Sequence, residues 1–166
     1  MTAIFVAKRR THVMAEGEAN MNAKNNKRMM QSIFDAVACG DRTAYLDAMH
    51  DDLVMHVMGS SSWSQTVRGK AKVFDVFFRH VQSRLSARHP TTPLHFLADE
   101  DWVVVEAKGD MIAADGRSYQ NDYCLHYRII DGKIVEMKEY MDTILCEDRL
   151  GAFPDELKTR LQKASA

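Results

Sequence analysis

Residues 119–143 read YQNDYCLHYRIIDGKIVEMKEYMDT, and this stretch decides the fold. On either side of Asp131-Gly132, apolar and polar side chains alternate along runs long enough for β-strands. An Asp-Gly pair between two such runs is typical of a two-residue hairpin turn, because these residues tolerate positive φ. The sequence therefore predicts two long antiparallel strands, at residues 119–130 and 133–143.

The rest of the chain divides into a strand-rich half and a helical half. Three more strands are predicted just upstream, at residues 94–97, 102–107 and 110–113. The N-terminal half instead repeats apolar residues every three or four positions, which predicts helices over residues 22–39, 42–49 and 69–85 with one strand at 53–58. Helices followed by a meander of strands indicate α+β layers. The expected fold is a cone-shaped, curved antiparallel sheet wrapped over three N-terminal helices.

The domain organisation follows from length and pattern. A chain of 166 residues suits one domain. Residues 1–20 show no sustained period and are expected to form a flexible N-terminal tail. Residues 21–151 form the predicted α+β domain, and residues 152–166 a C-terminal helical tail.

Charge and composition exclude several classes of partner. The formal net charge is −1 and no long basic run occurs, so neither nucleic acid nor a membrane is expected as a partner. The apolar residues 3–7 precede their basic neighbours, which is the reverse of a secretory signal. Three cysteines without a CxxC pair indicate reduced thiols and a cytoplasmic location. No metal-ligand spacing or cofactor-binding glycine motif is present, so no metal and no cofactor are predicted.

Several short motifs carry a family resemblance. They are residues 119–124, Arg128, Asp131-Gly132-Lys133 and Glu139-Tyr140-Met141-Asp142 near the C-terminus, with residues 55–59 and 67–70 upstream. Together they resemble the SnoaL-like and ketosteroid-isomerase-related proteins of the nuclear transport factor 2-like superfamily. The resemblance implies the cone-shaped fold above. It leaves the reaction open, because such folds host isomerases, cyclases, dehydratases, epoxide hydrolases and binding proteins without activity.

The resemblance also orients the strands. In that family the glutamate of the Glu-Tyr-x-Asp motif points inward, and alternation then assigns the other residues of each strand. His56 is expected to point outward. The predicted pocket is lined by Met55, Val57, Trp63, Phe77, Trp102, Val104, Leu125, Met137 and Met141. Such a lining suits a small apolar organic molecule. Trp63 is interpreted either as a lid or as an ordinary rim aromatic.

Four polar residues are candidates for chemistry in this pocket. Glu139 and Glu106 are expected to share its floor, where one carboxyl keeps its proton and the other acts as base. Asn121 and Tyr123 are expected to donate hydrogen bonds to an oxyanion. The alternative makes Glu139 half of a structural ion pair with Lys108 or Arg149, and Tyr123 a wall residue.

Two functional hypotheses follow. The first is a cofactor-free acid-base isomerase, cyclase or dehydratase acting on an apolar organic substrate. The second is a non-catalytic ligand-binding or accessory domain. The first strand holds no acid, so the carboxylate base of the steroid isomerases is not supported. The resemblance further implies a homodimer through the outer sheet face, where Val103, Val105, Cys124 and His126 are expected.

Overall fold

The structure is a computed structural model that describes residues 2–88 and 91–163, with side chains for residues 20–87 and 91–163. Met1 and residues 164–166, the extremities of the two predicted tails, lie outside the described residues. The predicted α+β fold class is confirmed, with helices at the N-terminus and a curved sheet after them.

Two helices open the chain. Helix α1 spans Thr2–Ala38, whereas the sequence predicted a start near residue 22. The added turns carry many Ala, Lys, Arg, Glu and Met residues, which are good helix formers even without an apolar stripe. Gly40, at φ +90°, ends α1 and lets Asp41 N–H donate to the Ala36 carbonyl. Helix α2 follows at Thr43–Ala48.

The third predicted helix is a composite. A single α-turn, α3 (Lys70–Lys72), leads into a π-helical segment, Val73–Phe78, and then into α4, Arg79–Ser83. The wide turn is closed by Arg79 N–H, which donates to the Phe74 carbonyl five residues back. Segments of this kind often occur at functional sites. The predicted helical end near residue 85 is wrong, because a strand begins at Leu85.

The described residues form nine strands in two sheets. In chain order they are β1 (Met49–Val57), β2 (Gln65–Arg68), β3 (Leu85–Arg88), β4 (Thr92–Asp99), β5 (Trp102–Lys108), β6 (Met111–Ala113), β7 (Ser118–Tyr119), β8 (Asp122–Ile130) and β9 (Lys133–Met141). The main sheet has the order β2-β1-β9-β8-β5-β4, and a smaller sheet has the order β3-β6-β7. Strands β2, β3 and β7 were not predicted as separate strands, because each has only two to four residues.

The β8–β9 hairpin confirms the turn prediction. Asp131 and Gly132 have φ of +50° and +71°, the signs of a type I′ turn, and Ile130 pairs directly with Lys133. The turn fixes the pairing only as far as Ile129, which lies opposite Ile134; a bulge on β9 then shifts the register by one residue, so that Arg128 pairs with Glu136. As a result of this bulge, Leu125 lies opposite Glu139 in the centre of the sheet.

One strand pair departs from the predicted antiparallel sheet. Strand β1 runs parallel to β9, with Met55 opposite Met137 and Val57 opposite Glu139. The reason is connectivity: β1 and β9 lie almost the whole domain apart in sequence, so no hairpin constrains their relative direction. The main sheet is mixed, and its inner face meets α1, α2 and the 70–83 segment.

Two short helices close the described chain. Helix α5 spans Thr143–Leu150, and the Asp142 carboxylate caps it by accepting from Ile144 N–H and Leu145 N–H at 3.0 Å each. Helix α6 spans Asp155–Gln162 and buries Leu161. None of the described helices combines the length and apolar character that a bilayer span requires.

Candidate functional site

A cavity of about 500 Å³ lies between the helices and the inner face of the main sheet. This volume is within the usual range for small-molecule pockets. The main sheet contributes side chains from β8 and β9. The other walls come from α1, α2, the π-helical segment, α4 and α5, from β6 and β7 of the smaller sheet, and from the loop between β1 and β2. The aromatic and sulfur-containing lining residues are Phe34, Tyr45, Trp63, Phe74, Phe77, Phe78, Met111, Tyr119, Tyr123, Tyr127, Met137, Met141 and Cys146.

Glu139 lies in the centre of this wall. It is the one carboxylate among the described residues that line the cavity. Its strand neighbours across the sheet are Leu125 on β8 and Val57 on β1, and Met137 and Met141 flank it two positions away on β9. The carboxylate therefore faces a largely apolar enclosure, where electrostatic and hydrogen-bonding interactions are stronger than in water.

Two pairs of tyrosines flank Glu139 along the sheet. On one side the Tyr45 and Tyr127 hydroxyls are 3.4 Å apart, and Tyr45 also donates to the Met137 sulfur at 3.6 Å. On the other side the Tyr123 hydroxyl donates to that of Tyr119 at 3.4 Å. Burial raises the pKa of both Tyr119 and Tyr127. These two hydroxyls therefore remain protonated at neutral pH, and that of Tyr119 donates to the Met141 sulfur at 3.9 Å.

Cys146 on α5 also contacts the cavity but is unsuited to nucleophilic chemistry. Burial raises the pKa of its thiol to about 12, so the thiolate is scarce at neutral pH. The neighbouring Glu139 carboxylate acts in the same direction. Cys146 is a wall residue.

Five of the nine predicted pocket residues line the cavity. They are Trp63, Phe77, Leu125, Met137 and Met141, together with the proposed catalytic residues Tyr123 and Glu139. Met55 and Val57 are buried on the correct face of β1, but they are not among the residues that line the cavity. His56 points outward as predicted and contacts Glu136 at 3.5 Å.

Trp63 differs from both of its predicted roles. Only 1% of its surface is exposed, and its indole N–H donates to the Gly151 carbonyl at 2.8 Å. Its ring meets Phe77 and Phe153 edge to face and stacks on His80. A side chain fixed in this way is a tightly packed part of the cavity wall, and neither a lid nor a rim residue.

The predicted face of β5 is wrong. Val105 pairs with Leu125 and is fully buried, whereas Glu106 pairs with Cys124 on the other side of the sheet. Residues directly opposite one another on paired strands share a face. We call this second face the outer face; it carries Trp102, Val104, Glu106, Cys124, His126, Lys138 and Tyr140. Glu106 therefore cannot share the floor of the cavity with Glu139.

The contacts of these outer-face residues fit that position. The Glu106 side chain is 56% exposed and pairs with His95 at 2.9 Å. Trp102 lies under the Lys138 ammonium group, 4.7 Å from the ring centre. Val103 and Val105, which were expected at an outer interface, are completely buried on the inner side. Cys124 and His126 do lie on the outer face, 3.4 Å apart.

Asn121 is buried but serves the backbone. Its amide oxygen accepts from Asp142 N–H at 3.0 Å, and its amide nitrogen donates to the Asp142 carbonyl at 3.0 Å and to the Tyr119 hydroxyl at 3.3 Å. Asn121 is not among the residues that line the cavity. Asn121 holds the junction of β9 and α5 together through these hydrogen bonds. The prediction that its amide donates to an oxyanion in the cavity is therefore wrong.

The partners suggested for a structural Glu139 ion pair are engaged elsewhere. Lys108 approaches Asp122 at 3.7 Å, and Arg149 donates to the Ser118 carbonyl at 2.9 Å. Sequence reasoning missed Tyr119 and Tyr45. Tyr119 shares the alternation of Asn121 and Tyr123, so a signal for it was present, whereas Tyr45 reaches the cavity through the packing of α2.

The fold and its internal cavity define an α+β protein of the nuclear transport factor 2-like, or cystatin-like, class. The chain belongs to the SnoaL-like domain family, whose sequence model matches residues 30–137. No curated protein matches the sequence significantly.

Three solved structures illustrate the likeness. A nuclear transport factor 2-like protein of unknown function from Burkholderia pseudomallei is 21% identical, with a TM-score of 0.67 over 77% of this chain and 98% of its own. TerC, co-crystallised with polyporic acid, is 23% identical, with a TM-score of 0.64 over 75% and 97%. A putative SnoaL-like polyketide cyclase from Jannaschia sp. is 15% identical, with a TM-score of 0.64 over 80% and 95%.

Proposed function

We propose that this protein is a cofactor-free enzyme that transfers a proton within an apolar, largely aromatic organic substrate, with Glu139 as the general base. The observation that carries this proposal is the position of Glu139, the one carboxylate among the described residues on the wall of an otherwise apolar cavity. A single carboxylate in such an enclosure is a common arrangement for abstracting a proton from carbon.

The chemistry needs only groups on this wall. Glu139 removes a proton from a carbon beside a substrate carbonyl, and the electron pair moves onto the carbonyl oxygen. A tyrosine hydroxyl donates a hydrogen bond to that oxygen and stabilises the enolate. Return of the proton to another carbon completes an isomerisation. Attack of the enolate carbon on a second carbonyl of the same molecule forms a ring, and the new alkoxide takes the proton back from Glu139.

The tyrosines replace the acid that Glu106 was expected to supply. Tyr123 is one candidate for this donor, because Met141 opposite it on β9 lies two positions from Glu139. Its own hydroxyl donates to Tyr119, so a substrate oxygen would take over that hydrogen bond. Tyr45 occupies the corresponding place on the other side, beside Met137.

The composition of the wall supports an aromatic substrate. Phe34, Phe74, Phe77 and Phe78 face the sheet across the cavity. Aromatic rings favour edge-to-face and offset contacts with a flat ligand. Among the structural neighbours, one contains polyporic acid and another is a putative polyketide cyclase, which agrees with this substrate class.

Deuterium exchange tests the base directly. The protein is incubated in D2O with aryl ketones, β-diketones and cyclic enones, and loss of the proton beside the carbonyl is followed by NMR. Glu139→Gln is expected to slow exchange of any accepted substrate by about 10²- to 10⁴-fold. Glu106→Gln, the same change on the outer face, serves as matched control and should leave the rate unaltered. Equal rates for Glu139→Gln and wild type would exclude Glu139 as the base.

The non-catalytic alternative rests on the same cavity. Because Glu106 lies outside it, the expected pair of carboxylates is absent from the wall, and a wall of aromatic rings and methionines also suits simple binding. If ligands stabilise the protein against heat while no substrate exchanges deuterium, this binding function is the better description.

A homodimer through the outer face of the main sheet is part of the proposal. Leu97 on edge strand β4 and Tyr140 on central strand β9 are apolar or aromatic residues on this face, 63% and 41% exposed, and Val104 on β5 lies opposite Leu97. Sedimentation velocity should give twice the 18.9 kDa chain mass for the wild type. Leu97→Lys should shift the protein toward the monomer. A wild-type mass of one chain at micromolar concentration would rule the dimer out.

A further inference from the structure

The cavity opens to solvent beside the loop that joins α1 to α2. The exposed residues of its lining are Gly40 and Arg42 on that loop and Gln82 on α4, so they surround the mouth. Arg42 is the one cationic residue of the described lining. Glu139 is the one anionic residue, and it lies inside on the sheet. The cavity therefore carries a positive charge at its mouth and a negative charge on its inner wall.

The Arg42 guanidinium is available to a ligand. Among the described residues, none forms a hydrogen bond or an ion pair with this side chain. The nearest acid in sequence, Asp41, directs its carboxylate at Thr43 N–H, which donates to it at 2.8 Å. A guanidinium at an apolar opening is suited to a planar acidic group, which it can bind through two parallel hydrogen bonds.

Helix α2 links the mouth to the reactive wall. Arg42 precedes Tyr45 by three residues, about 4.5 Å along a helix axis, and both line the cavity. The Tyr45 hydroxyl reaches Tyr127 and the Met137 sulfur, two positions from Glu139 on β9. A ligand that touches both Arg42 and Glu139 therefore lies along the aromatic surface between them.

We infer that the ligand of this cavity is an amphipathic anion, with an apolar aromatic body inside and an acidic group held at the mouth by Arg42. This inference rests on the cavity being the site of the proposed function. The two charges orient the ligand, since Arg42 attracts the acidic group while the Glu139 carboxylate repels it. The neutral end of the molecule, where a proton is to be removed, is thereby turned toward Glu139.

A matched pair of dyes tests the charge requirement. The probes are 8-anilino-1-naphthalenesulfonate and its uncharged parent N-phenyl-1-naphthylamine, which share the aromatic body and differ in the acidic group. Fluorescence titrations with wild type, Arg42→Gln, Arg42→Lys and Arg160→Gln give the four affinities for each dye. Arg160, exposed on α6 and absent from the cavity lining, is the control for the loss of one positive charge.

The expected result is specific to one dye and one position. Arg42→Gln should weaken binding of the sulfonate dye about fivefold, which is the effect expected from losing a partly exposed ion pair. Its affinity for the neutral dye should not change. Arg42→Lys should recover part of the loss, and Arg160→Gln should have no effect. Methionine methyl labelling locates the dyes, since binding in the cavity should shift the Met137 and Met141 resonances through ring currents.

Two results would overturn the inference. If Arg42→Gln binds both dyes as the wild type does, the acidic group is not recognised at the mouth, while the deuterium-exchange test of Glu139 stands unaffected. If neither dye shifts the Met137 and Met141 signals, the cavity does not take this ligand class at all. In that case the proposed aromatic substrate is refuted as well.

Discussion

Replacing Asn121 with leucine separates a structural role for this residue from a catalytic one. The substitution keeps the number and branching of the side-chain heavy atoms but removes the amide. Asp142 then loses a hydrogen bond at both its N–H and its carbonyl, each 3.0 Å long, and the Tyr119 hydroxyl loses the amide donor at 3.3 Å. The affected junction is the one from which α5 begins.

The magnitude follows from these three contacts. Each hydrogen bond contributes about 1 kcal/mol net, and the apolar leucine side chain recovers roughly 1 kcal/mol through burial. Asn121→Leu should therefore lower the free energy of unfolding by about 2 kcal/mol. For a chain of this length that corresponds to a fall in Tm of about 4–8 °C.

Thermal melts monitored by circular dichroism measure the change, with urea unfolding as a second estimate. Gln120→Leu is the control, because the amide of this neighbouring residue is exposed and donates to the surface carboxylate of Asp110 at 3.2 Å. The control should melt within 1–2 °C of wild type, as expected for a surface change of about 0.5 kcal/mol. If Asn121→Leu melts like the wild type but loses deuterium exchange, these hydrogen bonds are unimportant for stability and Asn121 acts in catalysis.

Three further outcomes are expected. Asp142→Ala removes the cap of α5 and should lower the free energy of unfolding, measured with urea, by about 1 kcal/mol. The conservative Asp142→Asn should leave it unchanged, because asparagine caps helices as well as aspartate does. Burial lowers the pKa of His80 below its ordinary 6.5, so the unfolded chain binds a proton at this residue at a higher pH than the folded protein does. The wild type should therefore lose stability as the pH falls below 6.5. The His80→Gln variant should lose less over the same range. Val105→Ala should destabilise by about 2 kcal/mol and Val104→Ala by clearly less, and equal effects would contradict the assignment of β5 faces.

The inner residues of β8 and β9 could be predicted because their constraint is local. The two-residue turn at Asp131-Gly132 makes β8 and β9 neighbours, and the family motif orients Glu139 inward, although a bulge beyond Ile129 shifts the pairing by one residue. Once Glu139 is assigned to the inner face, Tyr123, Leu125 and Tyr127 follow by alternation. The same reasoning failed on β5, where residues 102–105 read Trp-Val-Val-Val. Both faces of that strand are apolar, so alternation alone gives no orientation.

The sequence by itself determined the layered α+β class and the central hairpin, because hydrophobic period and turn chemistry act between neighbours in the chain; the inward position of Glu139 was implied by the family resemblance. Tertiary structure alone decided which groups meet across long separations. It placed β1 parallel to β9, moved Glu106 to the outer face, paired Tyr45 with Tyr127 and brought Arg42 to the mouth of the cavity. These contacts depend on how helices and strands pack in three dimensions, and packing depends on the shape and volume of the whole core rather than on any local pattern.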